Sequence, residues 1–406
     1  MNEGTVLKNV NVLDMRNTTQ ETIDKIAFIK NVNVILVSQE TASFLTGIPC
    51  KNLNATAQVP QNVHVQTSMS SVTITQDYLQ NLTSPQFLLV MGRLLIGPDV
   101  TVDAMESKLA GFVSMGKLIC PEQLVGVLHS KAGLMMGGTV GYAQDAHLVA
   151  NSLVLDDPFL NSLSDATKLV VSGSLRVIDN VTSALIDRKL KSLQVQGSIL
   201  CRQEHELALR SKLEPAPETL TIIPTGHRFV DGTLTLDEAS LQALSHERLF
   251  SLADIIIKGD IERSVFDTAI DSLSTVGTIL CPSRLKEVLS KKCDMLSSRA
   301  ILYEGTLWYV DDDRELFADQ FEYIDGPMTI FVRADLRVES DVSPQLLLDR
   351  IDKIHNLGDI LCHPEHVAAI EARLGIRAGD LTVIREQEEE QQDDRPSIGN
   401  ANYMVL

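Results

Sequence analysis

The sequence predicts an α/β repeat protein, a solenoid of about fifteen strand–helix coils in five repeats of about 81 residues on mainly parallel sheet. The first observation behind this is a cysteine that closes a short aliphatic strand four times. It does so in Gly116-Lys117-Leu118-Ile119-Cys120, Gly197-Ser198-Ile199-Leu200-Cys201, Gly277-Thr278-Ile279-Leu280-Cys281 and Gly358-Asp359-Ile360-Leu361-Cys362. Successive cysteines lie 81, 80 and 81 residues apart. A fifth copy, Asn33-Val34-Ile35-Leu36-Val37, has valine 83 residues before Cys120. The second observation is the apolar register upstream of each copy, and the third is the lack of any Gly/Ser/Pro linker between copies.

Each element follows from that register. Fifteen residues before the closing residue stand Met105, Ile186, Phe266 and Leu347, with Thr22 as the exception. Eleven before it stand Ile26, Leu109, Leu190, Ile270 and Ile351; eight before it, Ile29, Phe112, Leu193, Leu273 and Ile354. Spacings of four and three place these on one helix face, so a helix is expected to run through all three positions and turn into the aliphatic strand at the glycine. Pro121, Pro282 and Pro364 then open short helices over Glu122–Lys131, Ser283–Lys292 and Glu365–Leu374. A second strand is expected at Leu94/Ile96, Leu175/Val177, Ile255/Ile257 and Leu336/Val338. A third is expected at Val72–Ile74, Leu153–Leu155, Leu234–Leu236, Leu307–Tyr309 and Leu381–Ile384, giving three coils averaging about 27 residues per repeat. Leu220–Ile223 reads as a hairpin or loop inserted on one side. Five separate βα domains are the alternative, disfavoured because units of that size bury little surface alone.

These coils, with a strand, a turn and a helix each, resemble the leucine-rich-repeat type of α/β solenoid. The likeness is one of format and covers the chain up to about Ile384. The asparagine that follows the strand in that family is missing, its position varying among Gly, Asp, Pro and Cys. The resemblance therefore implies stacked βα coils and no functional residue. It gives one solenoid over 1–384, with repeats of approximately 1–60, 61–140, 141–220, 221–300 and 301–384. An acidic linker at 385–397 and an apolar C-terminal peptide at 398–406 follow.

Composition bounds the function. Of 406 residues 44% are apolar but only 4% aromatic, and 35 Lys and Arg face 54 Asp and Glu for a net charge of −19. Such a field repels phosphate backbones and anionic lipid, so neither nucleic acid nor a membrane surface is an expected partner. No apolar stretch approaches the ~20 residues of a membrane span, and the opening residues lack a basic, then apolar, leader. A cytoplasmic location is expected. The repeat cysteines read as buried free thiols.

Candidate chemistry is sparse. Cys362-His363-Pro364-Glu365-His366 is the most metal-like cluster, yet His363 and His366 are expected to face solvent at a helix start. Glu204-His205-Glu206 occupies the same place one copy earlier. Gly133–Gly141 lacks the Lys-Ser/Thr ending of a phosphate loop, and Asp311-Asp312-Asp313 lacks the spacing of a calcium loop. No catalytic residue, cofactor or metal ligand is assigned. The expected function is a non-catalytic protein-interaction or structural scaffold, its partners proteins, itself included, through its ends or its tail. Tyr403, Met404, Val405 and Leu406 are the expected docking residues, covering the raw strand at Leu381–Ile384. The alternative is an enzyme or small-ligand binder with its site in the irregular insertions at 133–150 or 214–232.

Overall fold

The computed structural model describes residues 4–177, 181–215, 219–294, 299–324, 326–384 and 396–406. The chain is α/β, with many short parallel strands gathered in several sheets. It divides into two compact units, residues 1–222 with 392–406, and residues 223–391.

In the first unit the plan is clearest over residues 64–142. Strands His64–Ser68, Gln86–Val90, Leu109–Ser114 and Ala132–Met135 form one four-stranded parallel sheet. Strands Val72–Ile74, Leu94–Ile96, Leu118–Pro121 and Thr139–Tyr142 form another. The chain visits the two sheets alternately, and helices Gln76–Gln80, Val102–Lys108 and Val125–Lys131 carry it back to the start of each circuit. Sequence sets each helix start: Thr75 and Thr101 accept hydrogen bonds from the amides of Tyr78 and Ala104, the N-cap geometry. The plan returns from 147 up to the boundary at 222 in the same unit, and over 228–303 and 306–383 in the second.

Before it, strands Thr5–Asp14, Ile26–Val37 and Cys50–Gln58 make a single sheet that the C-terminal strand Ser397–Val405 completes, in the order 50–58, 26–37, 5–14, 397–405. Each of these five modules has its own apolar core.

Several expectations change. The described strands number 34 in nine sheets, not fifteen in one continuous sheet. Among the described residues, repeats 64–142 and 306–383 carry four strand pairs and the two between them three pairs with one further strand, and successive strands of one sheet begin about 23 residues apart (64, 86, 109, 132), not 27. Residues eleven and eight before each cysteine lie on a strand: Leu109–Ser114, Leu190–Val195, Ile270–Thr275 and Ile351–Asn356. The helix ends one residue earlier. The helical spacing arises from a β-bulge, because Gln86 pairs with Leu109 but Phe87 with Gly111, leaving Ala110 as an extra residue. That extra residue shifts the side-chain phase, so Leu109 and Phe112 both face the core. Lys191, Asp271 and Asp352 are the extra residues in the other copies. Leu307–Tyr309 belongs to the Thr306–Val310 strand, and the third-strand position of that repeat is Arg314–Leu316. Leu220–Ile223 is the edge strand of a four-stranded sheet, beside Ile199–Arg202, not a hairpin.

Modules within a unit are not independent. Strands such as Leu94–Ile96 and Ile255–Ile257 are buried on both faces, the pattern of a sheet covered on each side. In the first unit, Val12, Val34 and Leu36 pack on Phe87, Leu89 and Val113, and Leu95 and Ile119 pack with Ala146 and Val170. In the second, Ile256, Leu280 and Ile301 pack on Phe331. These shared layers replace linkers. The turn before each aliphatic strand is a glycine for a steric reason: a Cβ on Gly116 would sit 2.6 Å from the Gly92 carbonyl oxygen, and one on Gly277 2.7 Å from the Ala253 carbonyl carbon.

Candidate functional site

The N-terminal sheet is built on a motif that recurs four times: Lys8-Asn9-Val10-Asn11, Lys30-Asn31-Val32-Asn33, Lys51-Asn52-Leu53-Asn54 and Gly399-Asn400-Ala401-Asn402. Parallel in-register pairing stacks equivalent residues at about 4.8 Å, within reach of one amide for the next. Two ladders result. Asn52 donates to Asn31 at 2.8 Å, Asn31 to Asn9 at 2.9 Å and Asn9 to Asn400 at 3.1 Å. Asn54 donates to Asn33 at 2.8 Å, Asn33 to Asn11 at 2.7 Å and Asn11 to Asn402 at 2.8 Å. The first asparagine of each motif bends its strand through the left-handed region, with φ of 55°, 56°, 55° and 59° at Asn9, Asn31, Asn52 and Asn400. Asparagine tolerates that region better than other side chains do.

The C-terminal peptide enters this sheet beside Thr5–Asp14, with Tyr403 opposite Val12, Met404 opposite Leu13 and Val405 opposite Asp14. Met404 and Leu406 pack on the N-terminal core, and Tyr403 on the layer shared with Phe87 and Leu89. Val405 stays 62% exposed. The Leu406 amide donates to the Asp14 carbonyl at 3.0 Å, and the Thr18 hydroxyl to the Leu406 carbonyl at 3.2 Å. The strand at Leu381–Val383, expected to be what the tail covers, instead pairs with Asp359–Cys362 and ends its own sheet. The acidic segment 385–395 lies outside the described residues.

A buried charged cluster fastens the tail. Arg16 donates to both oxygens of Asp14, Nε to Oδ1 at 2.9 Å and Nη2 to Oδ2 at 2.8 Å, and Tyr403 donates to Oδ2 at 2.6 Å. Arg16 Nη1 also donates to the carbonyls of Pro60 and Val63. Burial pushes the Asp14 carboxyl up, but hydrogen bonds from Arg16 and Tyr403 outweigh it and hold its pKa below the usual value. Burial, with Asp14 alongside, pushes the Tyr403 phenol up to about 12.

The same three residue types meet in the second unit. Asp254, 1% exposed, accepts from Arg333 Nε at 2.6 Å, from Tyr309 at 2.8 Å and from the Thr278 amide at 2.7 Å. Its pKa is likewise depressed, burial being overcome by Arg333, Thr278 and Tyr309. Both clusters tie elements that are distant in sequence, and each holds its carboxylate ionised.

The other candidates resolve into structure. Cys120, Cys201, Cys281 and Cys362 are fully buried free thiols in four different cores. Burial raises the first three to about 12 and Cys362 to about 11. His366 does not face solvent: it is 0% exposed, and its Nε2 donates to the Val342 carbonyl at 2.6 Å. His366 and His205 take the position that Leu124 and Leu285 hold in the other repeats, so they are core residues. Among the described residues no group of three or more His, Cys, Asp and Glu could hold a metal ion. Gly133–Gly141 forms the last strand pair of its module, and Gly137 stacks on the Gly116 turn. Asp312 pairs with Arg314 in a strand connection.

The insertions at 133–150 and 214–232, where described, supply terminal strands to neighbouring modules; 216–218 lie outside the described residues. A groove of about 850 Å³ lies elsewhere, lined by Trp308, Phe317, Phe321, Asp335 and Arg337. No described helix is long and apolar enough to cross a membrane.

The ladders are legible as Asn-x-Asn at 9, 31, 52 and 400, but the cysteine period draws the register toward aliphatic residues and hides the shorter spacing of about 22 residues. No protein family, curated protein or solved structure matches this chain.

Proposed function

We propose that this protein is a non-catalytic structural scaffold that binds protein partners, itself among them, and that its modules are short α/β solenoids set in series along one chain. The observation that carries this reading is the N-terminal sheet. Its polar side chains are spent on two continuous amide ladders, and its charged cluster on holding the tail strand, so the polar residues act in construction. A sheet of this kind, open at its edges, is a template for further strands. The strongly negative charge keeps association selective by repelling like surfaces elsewhere on the chain.

Light scattering on the full chain across a concentration series tests it. A mass above that of one chain, rising with concentration, is expected. One chain's mass at every concentration would remove self-association from the reading.

A further inference from the structure

We propose that copies of this chain join head to tail through the two free edges of the N-terminal sheet, the Cys50–Gln58 strand of one copy pairing in parallel with the Ser397–Val405 strand of the next. The proposal rests on the scaffold reading and gives it a partner, a register and a symmetry.

The edges are open. Among the described residues, Cys50–Gln58 pairs only with Ile26–Val37, and Ser397–Val405 only with Thr5–Asp14. Soluble proteins usually protect such edges with charges, proline or a bulge. Ser397–Val405 has no charged residue and no proline, and Cys50–Gln58 has one lysine, Lys51.

The edges are also complementary. Both ladders run the same way, from Asn52 and Asn54 toward Asn400 and Asn402. One edge therefore ends in the Oδ1 acceptors of Asn52 and Asn54, and the other in the Nδ2 donors of Asn400 and Asn402, with no further partner for these atoms among the described residues. Unlike edges extend the ladder, whereas two like edges would set acceptor against acceptor or donor against donor. A contact between unlike surfaces is heterologous and generates rings or filaments, not a two-fold dimer.

The apolar register agrees. Cys50, Ile29, Leu7 and Ile398 form one column across the four strands. Ile29 and Leu7 are 0% and 2% exposed, whereas Ile398 at the end is 55% exposed and Cys50 at the other end is exposed. Stacking a second copy places Ile398 beside Cys50 and buries both. The left-handed bends at Asn52 and Asn400, with φ of 55° and 59°, let the two strands follow the same path.

That column supplies the test. In the full-length chain carrying Ile398→Cys, the introduced thiol and Cys50 of one copy are three strands apart, roughly 14 Å at the spacing of a parallel sheet, beyond the ~7 Å that a disulfide spans. The remaining thiols are buried. A bond between positions 50 and 398 therefore forms only between copies. Mild oxidation is expected to give a non-reducing ladder of dimers, trimers and larger chains. Adding Cys50→Ser should remove everything above a dimer, and Val405→Cys with Cys50 retained, far out of register, should give no such ladder. A chain that stays monomeric on oxidation, or a ladder that survives Cys50→Ser, overturns the proposal. Light scattering on the unmodified protein separates the two failures. Association without the 50–398 bond ends the edge pairing and leaves self-association standing, whereas a monomer without the bond ends the edge pairing and removes self-association from the scaffold reading.

Discussion

At the scale of the residue, the repeated cysteine is informative for its solvent access more than for its chemistry. Four of the six thiols are at 0% exposure, and Cys50 alone is exposed. Their pKa values, raised to about 11–12, keep them protonated across neutral pH, and the thiolate is the reactive form. A thiol reagent in native buffer should label Cys50 first and reach all six only on unfolding, which mass spectrometry reads directly. Cys281→Ser should cost about 1–3 kcal/mol in denaturant melts, because a hydroxyl replaces a thiol in an apolar layer where the Pro282 carbonyl, 3.5 Å from the thiol sulfur, is too far for a good hydroxyl hydrogen bond. The burial of these cysteines is readable from their place at the end of an apolar run. Their separation is not. The period alone stacks them three coils apart in one core, whereas they lie in four cores, one to each module. His366 misleads the same way: its sequence neighbours Pro364 and Glu365 are exposed, and only the fold shows that it takes a leucine's position.

At the scale of the element, two ambiguities of periodicity decide what can be read. Residues at −15, −11 and −8 satisfy a helix, yet a single bulge residue lets a strand satisfy the last two just as well, and no local signal separates them. The strands at 94–96, 175–177 and 255–257 are legible because of their apolar residues at a period of two. The glycine turns are legible as turns, but their cause is contact with the turn beneath. Gly116→Ala should therefore destabilise by about 1–3 kcal/mol, since its Cβ would meet backbone that cannot swing away. Gly126→Ala, with nothing within 4 Å of the added methyl inside the Val125–Lys131 helix, should stabilise by about 0.4–1 kcal/mol. Thermal melts of the two variants measured together check both signs.

At the scale of the whole molecule, the modules of each unit share apolar layers and a few buried polar ties, and the Asp254–Arg333 pair is the test case. Asp254 is 1% exposed on its side chain and Arg333 34%, so the partners are unequal. Arg333→Ala leaves a carboxylate that cannot reach water and should cost about 3 kcal/mol. Asp254→Asn leaves an arginine that can reach water and should cost about 1 kcal/mol. The pH dependence follows from the depressed folded pKa of Asp254. Its contribution is complete above the unfolded carboxylate value near 4 and is lost as pH falls through the lower folded value. Without Arg333 the foremost of the hydrogen bonds that hold this pKa down is lost and burial pushes it upward, so the deficit of Arg333→Ala should be largest at neutral pH and shrink toward pH 4. Urea titrations at pH 7 and pH 4 read this, and a deficit equal at the two values would show that the loss comes from packing and not from the charge pair. By itself the sequence determined the α/β class, the parallel strands and the period of the repeat, because these rest on local spacing of apolar residues. Only the tertiary structure decided that the strands divide among nine sheets, that the tail joins the N-terminal strand, and that Asp14, Arg16 and Tyr403 meet. Those outcomes depend on which edges and faces come together across hundreds of residues, and no spacing within one segment records that.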